Sequence, residues 1–171
     1  RIISDSEVTH LRYLSEDMVL VATHWKISVL GLSGAPNWSV SLGDHRLAYT
    51  GIAGNDKIIA YRDFYSEALR VLDAKSGIQL ATFESAGAGV AVLGRCAFAP
   101  RAERGVAYLK MWSPTRGVKT VEGSDTPWFA AHLYPLIGAE AFAASVAVFP
   151  DVIVQLSHDD VISFIRGDWS E

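Results

Sequence analysis

Short apolar runs of strand length recur along this chain, and this repeat constrains the fold more than any other feature of the sequence. The four runs begin at Val19, Ile58, Val106 and Val152, at successive intervals of 39, 48 and 46 residues. Each run is rich in β-branched and aromatic residues and is bounded by Gly, Asp, Asn or Pro, which is typical of a strand between turns. A recurrence at this spacing indicates a repeat architecture.

The runs belong to longer units that share an order of strands and turns. A second strand-like segment follows each run, and in three units it reaches or contains a turn with glycine: Ser33-Gly34, Ser76-Gly77 and Arg166-Gly167. In the third unit Arg116-Gly117 comes before the corresponding segment, so this unit fits the repeat less well. A short alanine-rich stretch, 138–145, is predicted to be a helical turn or a loop.

Each unit therefore predicts up to four short antiparallel strands joined by tight turns. The predicted boundaries are 5–43, 44–86, 90–137 and 138–171. A lone four-stranded sheet of this kind leaves its faces apolar, and stacking such sheets around an axis buries the faces and protects the edges. The sequence thus predicts an all-β fold: a β-propeller of about four four-stranded antiparallel blades, with residues 1–171 forming one propeller domain or a fragment of one.

Three segments carry a resemblance to known propeller families. Ala97-Phe98-Ala99-Pro100 and Ala147-Val148-Phe149-Pro150 look like the Phe-Ser-Pro segment of WD-repeat blades. The segment 71–77 (VLDAKSG) looks like the end of the third strand and its turn in WD-repeat and quinoprotein-type propellers. The Gly-His and Trp-Asp dipeptides of the WD repeat do not occur in the sequence. The resemblance is therefore to a degenerate WD-like propeller, in which the hydrogen-bond network built around those dipeptides is absent or replaced.

Two arrangements of the ring stay open under this resemblance. In one, four blades close on themselves, and residues 1–4 supply the outer strand that the last unit lacks. In the other, the chain is part of a larger propeller. The second arrangement is favoured, because WD-like propellers usually carry more than four blades.

Composition and charge exclude several classes of function. The chain has 15 basic and 19 acidic residues, a net charge of −4, and its densest basic group, between Arg95 and Lys119, is dispersed. A general nucleic-acid binder needs clustered Lys and Arg, so nucleic acid is not expected as a partner. No stretch approaches the roughly 18 uninterrupted apolar residues that span a bilayer. A single cysteine excludes an internal disulfide framework and, with no secretory signal visible, favours the cytoplasm or nucleus.

No catalytic, cofactor-binding or metal-binding residues are predicted. None of the five histidines forms an i, i+2 or i, i+4 pair with another histidine or with Cys96, and 158–160 (HDD) is best explained as a turn. A Gly-x-Ser-x-Gly nucleophile sequence is absent. The glycines at 87–89 precede a strand pattern, whereas a phosphate site needs a helix N-terminus. Cys96 lies in an apolar strand and is predicted to be a buried, unreactive thiol.

Aromatic residues are the more plausible functional material. Trp112 and Trp128 border the longest polar segment broken by Gly and Pro, 113–127, which also contains Arg116 and Lys119. These four residues are the predicted partner-binding candidates, because loops of repeat scaffolds carry partner contacts and Trp anchors interfaces. A second set of aromatics falls in loop-like stretches: Phe64, Tyr65 and Tyr134.

The predicted function follows from the fold and from the absence of a catalytic pattern. We expect a non-catalytic protein–protein interaction scaffold, bound to other subunits within a larger intracellular assembly. The alternative is a propeller enzyme or small-molecule binder of quinoprotein or hydrolase type, with its site at the central channel. Convergent carboxylates, histidines or arginines in that channel would favour the alternative, and an exposed aromatic patch on a rim would favour the scaffold.

Overall fold

Antiparallel β-strands are the regular elements of this protein. The computed structural model describes residues 7–43, 47–84, 90–103, 106–122, 128–135 and 142–148. Within these ranges there is no helix long and apolar enough to cross a membrane. The strands, in chain order, are β1 (Val8–Tyr13), β2 (Met18–Thr23), β3 (Lys26–Gly31), β4 (Pro36–Ser41), β5 (Leu47–Gly54), β6 (Ile58–Asp63), β7 (Ala68–Asp73), β8 (Gln79–Glu84), β9 (Ala91–Leu93), β10 (Cys96–Glu103), β11 (Val106–Ser113), β12 (Gly117–Glu122), β13 (Trp128–Pro135) and β14 (Phe142–Val148).

The strands form three meandering four-stranded sheets and one hairpin. The first sheet has the order β1-β2-β3-β4, the second β5-β6-β7-β8 and the third β9-β10-β11-β12, while β13 pairs with β14. All these pairings are antiparallel. The chain divides into two compact units, Arg1–Glu84 with the first two sheets and Ser85–Glu171 with the rest. The predicted all-β class and four-stranded antiparallel sheets are confirmed.

The third sheet is more regular than its sequence suggests. Its first strand, β9, is three residues long, so Cys96–Glu103 is the second strand and Val106–Ser113 the third. Gly117 therefore follows the third strand, as Gly34 and Gly77 do in the first two sheets, and all three glycines have positive φ angles. The apparent misfit of this unit arose because β9 is too short to give a recognisable apolar run.

After the third sheet, which ends at Glu122, β13 pairs with β14. The predicted boundary between residues 137 and 138 falls between these two strands, and the predicted unit boundaries stay a prediction. The helical turn or loop predicted at 138–145 is wrong for residues 142–145, which begin β14. The two predicted strands after residue 150, the histidine-containing turn at 158–160 and the glycines at 87–89 lie outside the described residues.

The core of the first unit lies between its two sheets. Along β2 and β3 the pairs Leu20↔Val29 and Ala22↔Ile27 place these four side chains on one face, because directly paired residues share a face. They are buried in a cluster with Met18, Leu14, Leu42, Leu47, Ile59, Tyr61, Leu72 and Ala74. Complete burial of one aliphatic side chain stabilises a fold by about 1.5 to 3 kcal/mol, so this cluster makes a large contribution to the stability of the unit.

A tryptophan of the first sheet covers a turn of the second. The indole of Trp38, on β4, donates a hydrogen bond of 2.8 Å from Nε1 to the carbonyl oxygen of Ala74 in the β7–β8 turn. The ring lies so close to Gly77 that a Cβ atom there would be 2.7 Å from Cδ2 and Cε3 of the indole. Gly77 has a φ of 71°, in the left-handed region that glycine adopts without strain. Both the turn and its tryptophan cover therefore require glycine at this position.

Candidate functional site

The β6–β7 turn is held by the carboxylate of Asp63. Oδ1 accepts hydrogen bonds from the backbone amides of Tyr65 (3.0 Å) and Ser66 (3.4 Å), and Oδ2 accepts one from the Ser66 hydroxyl (2.8 Å). Asp63 is buried, and the guanidinium of Arg70 lies 3.7 Å from Oδ2. An Asp that bonds amides two and three residues ahead fixes the backbone of a turn. The two residues at the tip, Phe64 and Tyr65, are thereby held outside the core.

Phe64 and Tyr65 form an exposed aromatic pair. Their rings meet edge to face, with centroids 5.4 Å apart and an interplanar angle of 89°. Phe64 is 55% exposed and Tyr65 is 63% exposed, although both are large aromatic side chains. Edge-to-face contact is the favoured geometry of an aromatic pair and restricts the motion of both rings. The turn thus presents an apolar surface to solvent, in a stretch that the sequence predicts to be loop-like.

Trp25 lies at the same edge of the first unit. It occupies the β2–β3 turn and is 46% exposed. The backbone amide of Leu47, the first residue of β5, donates to the carbonyl of His24 (2.9 Å), and Leu47 is paired with Asp63. The β2–β3 turn, the start of β5 and the β6–β7 turn are therefore contiguous. We call Trp25, Phe64 and Tyr65 together the aromatic edge.

Charged groups flank the aromatic edge and are paired with each other. Arg62 lies 3.4 Å from Glu67, on either side of the aromatic tip, and Arg70 pairs with Asp63 below it. Burial raises the pKa of the nearby Tyr61 hydroxyl; the positive charge of Arg70 lowers it in part, and the negative charge of Asp63 raises it. Tyr61 is therefore a neutral core residue at physiological pH. The arrangement is suited to apolar contact bordered by charged side chains, which is the anatomy of a protein-binding surface.

Of the partner-binding residues predicted from sequence, the structure describes the side chains of three. Trp112 is buried at the end of β11, whereas Arg116, in the β11–β12 turn, and Lys119, on β12, are partly exposed. Trp128 begins β13, and its side chain lies outside those described. Partner binding at these four residues stays a prediction. Trp112 lies between buried Met111 and buried Ser113, so both faces of the strand are covered at this position.

Metal and thiol chemistry have little support in the described part of the chain. Among those residues no three His, Cys, Asp or Glu side chains are placed to hold a metal ion. Cys96 is buried, as its sequence predicted, and burial raises the pKa of its thiol to about 11. The thiol is protonated at neutral pH and is a poor nucleophile, because reactivity requires the thiolate.

Comparison with known proteins identifies the fold. The β-propeller domain of Myceliophteria thermophila Cps50 (Swd1) has a TM-score of 0.54 and 14% identity, over 82% of this chain and 50% of that one. The WD40 domain of Toxoplasma gondii coronin has a TM-score of 0.61 and 11% identity, over 83% and 40%. Kuenenia stuttgartiensis hydrazine synthase has a TM-score of 0.56 and 9% identity, over 90% and 51%. No protein-family model and no curated protein matches the sequence.

The described sheets are therefore blades of a β-propeller, and the resemblance to degenerate WD-like propellers is confirmed at the level of fold. This chain spans about half, or less, of the length of the similar solved chains. Those chains include both WD40 domains and hydrazine synthase, so the fold by itself does not select a function.

Proposed function

We propose that this chain is a non-catalytic interaction module: a β-propeller part of a larger intracellular assembly that binds another protein through the aromatic edge. The observation that carries the proposal is the exposure of Trp25, Phe64 and Tyr65 along one edge of the first unit, on turns held by backbone and Asp63 hydrogen bonds. Tryptophan and tyrosine dominate binding energy at protein interfaces, and a preformed loop loses little entropy when it binds.

The alternative, a propeller enzyme or small-molecule binder, has weaker support. Its expected signature is a group of convergent titratable side chains with perturbed pKa values in a cleft. In the described residues the two raised pKa values belong to Tyr61 and Cys96, and in each the largest cause is burial. Burial therefore accounts for both raised pKa values, and neither of them requires a bound ligand. The exposure of the aromatic edge favours the interaction module.

The test of the proposal is retention of bound proteins by variants of the aromatic edge. The native chain, the Trp25→Ala variant and the Tyr65→Ala variant are each tagged and purified from cells of the source organism. The proteins that co-purify with each of them are then quantified by mass spectrometry. Loss of an anchoring aromatic costs about 2 kcal/mol, which corresponds to about a thirtyfold weaker complex. We therefore expect at least one bound protein to be lost from both variants.

Ile78→Ala is the matched control. Ile78 is also a large exposed apolar residue, but it follows β7, whereas Tyr65 precedes it, so the two lie at opposite ends of that strand. Proteins lost from the Trp25 and Tyr65 variants should be retained by the Ile78 variant, and urea unfolding should give all three variants the same midpoint. Unchanged retention in both aromatic variants would refute binding at this edge.

A further inference from the structure

Glu67 has a backbone conformation that the other turns of this fold give to glycine. Its φ angle is 54°, and it is the one residue other than glycine with a positive φ in the described part of the chain. The turn glycines Gly34, Gly77 and Gly117 have φ angles of 80°, 71° and 66°. A residue with a Cβ atom is strained in this left-handed region, whereas glycine is not. The β6–β7 turn therefore carries a strain that those turns avoid.

The hydrogen bonds of the β6–β7 turn do not explain this strain, because the β7–β8 turn has the same ones around a glycine. Both turns contain Asp-x-x-Ser, at 63–66 and 73–76. In both, the aspartate accepts from the amides two and three residues ahead and from the serine hydroxyl. In both, the serine hydroxyl accepts from the amide two residues ahead. The residue after the serine is Glu67 in one turn and Gly77 in the other, so glycine would fit both turns.

The ion pair that Glu67 makes within the fold is weak. Its Oε1 lies 3.4 Å from Nη2 of Arg62, which is long for a hydrogen bond, and its Oε2 has no hydrogen bond in the described part of the chain. Nε of Arg62 is buried and has no hydrogen-bond partner there either. One long contact at a surface contributes less to stability than a left-handed residue with a side chain costs. A strained residue that the fold does not require is typical of a functional site.

Glu67 is also the charged group that is most accessible to a partner at the β6–β7 turn. Its side chain is 57% exposed, against 28% for Arg70 and 15% for Arg62, and Asp63 has no exposed surface. The exposed ring of Tyr65 lies two residues before it in the same turn. The face of an aromatic ring attracts a cation, and a carboxylate forms charge-assisted hydrogen bonds with one. The turn thus combines two groups that recognise a basic side chain.

We propose that the protein bound at the aromatic edge presents an arginine or lysine side chain to Glu67 and Tyr65, and that Glu67 determines this preference. The cationic group binds Oε2 of Glu67 and lies against the Tyr65 ring, while apolar neighbours of the basic residue cover Phe64 and Trp25. The net charge of −4 attracts a basic segment over longer distances. This inference rests on the proposed function, because it specifies the chemistry of the partner at the same site.

An acidic segment is the alternative occupant, and it fits the aromatic edge less well. Arg62 contacts Glu67 and its Nε is buried, so a carboxylate from a partner would have to displace Glu67. Lys26 is exposed beside Trp25, but it begins strand β3 and has no positive φ angle. Its position therefore needs no functional explanation, whereas that of Glu67 does.

The first experiment asks which peptides bind at the aromatic edge. A phage library of random nine-residue peptides is selected against the 171-residue chain, and each selected peptide is tested on the Tyr65→Ala variant. We expect the peptides that lose binding to this variant to contain Arg or Lys at one shared position.

The other outcomes of the selection separate the inference from the proposed function. Peptides that require Tyr65 but share no basic residue would overturn the inference and leave the proposed function intact. A shared Asp or Glu whose binding requires Lys26 would identify the acidic occupant and overturn the inference in the same way. If no selected peptide requires Tyr65, the inference is refuted, and the proposed function is decided by the co-purification of proteins with the aromatic variants.

The second experiment measures the coupling between Glu67 and the basic residue. One selected peptide is synthesised with its basic residue and with norleucine, which is uncharged, and fluorescence polarisation gives the Kd of each for the native chain and for Glu67→Gln. We expect norleucine to weaken binding to the native chain about tenfold and binding to Glu67→Gln less than about twofold, because the ion pair is already absent there. Equal weakening in both chains would show that the basic residue does not bind Glu67 and would overturn the inference.

Two further variants separate recognition from a structural role of Glu67. Glu16→Gln removes the same charge from an exposed position in the β1–β2 turn, at the other end of β2 from Trp25, and should leave the Kd unchanged. Glu67→Gly should weaken binding of the basic peptide about tenfold, as Glu67→Gln does, while its urea midpoint equals or exceeds that of the native chain. A lower midpoint would show that the fold requires Glu67 and would overturn the inference.

Discussion

The β3–β4 and β7–β8 turns share a backbone and differ in what surrounds it. Each is closed by the same two amide-to-carbonyl hydrogen bonds, and each has a serine hydroxyl that accepts from the residue after the glycine: Ser33 from Ala35 and Ser76 from Ile78. The β7–β8 turn is one residue longer. It is held further by Asp73, whose carboxylate accepts from the amides of Lys75 and Ser76 and from the Ser76 hydroxyl.

The two turns allow the contribution of local hydrogen bonds to the stability of a turn to be separated from the contribution of contacts with another sheet. At the position of Asp73 the first turn has Gly31, which has no side chain to accept a hydrogen bond. Gly77 is covered by Trp38, whereas Gly34 faces open space. The same backbone hydrogen-bonding pattern is thus found with few side-chain contacts in the first sheet and with many in the second. Changes at equivalent positions should therefore have unequal costs.

The largest expected effect comes from removing the tryptophan that covers the second turn. Trp38→Ala should lower the free energy of unfolding by about 3 kcal/mol, because it removes the packing of a large, partly buried ring and its hydrogen bond to Ala74. Urea unfolding followed by circular dichroism measures the change. Trp25→Ala, at an exposed turn, is the control and should cost less than about 1 kcal/mol. Equal losses of unfolding free energy in the two variants would show that the contact of Trp38 with the β7–β8 turn adds no stability.

The two glycines give a direct comparison of the turns. Both need a left-handed backbone, so Gly34→Ala should cost about 1 kcal/mol. Gly77→Ala should cost about 2 to 3 kcal/mol, because its Cβ would also be 2.7 Å from the Trp38 ring. Unfolding midpoints of both variants, in the native and the Trp38→Ala background, test the difference. The difference should nearly disappear when the ring is absent; if it persists, the contact with Trp38 is not its cause.

The carboxylate of Asp73 should have an intermediate effect. Asp73→Ala removes the acceptor of three hydrogen bonds in a solvent-accessible turn and should cost about 1 to 2 kcal/mol by urea unfolding. Oδ1 accepts all three hydrogen bonds, so Asp73→Asn, which keeps one carbonyl oxygen as an acceptor, should recover most of this loss. A variant with alanine that is as stable as the native chain would show that the backbone hydrogen bonds alone define the turn.

The smallest expected effect is a gain. Gly31→Asp places the missing carboxylate in the first turn, where a Cβ meets its nearest atom, Oδ1 of Asn37, at an ordinary 3.4 Å. Replacing this glycine also restricts the unfolded chain, so we expect an increase in stability of about 0.5 kcal/mol. Gly31→Ala separates the backbone contribution from that of the carboxylate. A loss of stability in the Asp variant alone would mean that the shorter turn cannot use an aspartate cap.

The aromatic edge could be predicted only in part from the sequence. Phe64 and Tyr65 lie between an aspartate and a serine in a stretch that the sequence predicts to be loop-like, but only the structure shows that both are exposed. Trp112 lies beside a polar loop in the same way, yet it is buried, because the strand that carries it extends to Ser113. Proximity to a loop in sequence does not establish whether a residue is exposed. Met111 and Ser113 on either side of Trp112 are buried too, so burial here depends on the packing of both faces of the strand.

Sequence by itself determined the repeat: short strands, glycine turns and the two Asp-x-x-Ser turns at Asp63 and Asp73, all formed by contacts between residues a few positions apart. The tertiary structure decided which side of each repeated sheet is covered. Trp38 reaches Ala74 across 36 residues of chain, and nothing near Gly77 in sequence indicates that an indole lies on it. Hydrogen bonds of a turn depend on neighbouring residues, whereas burial depends on which sheet packs alongside, so equivalent positions such as Gly34 and Gly77 have different surroundings.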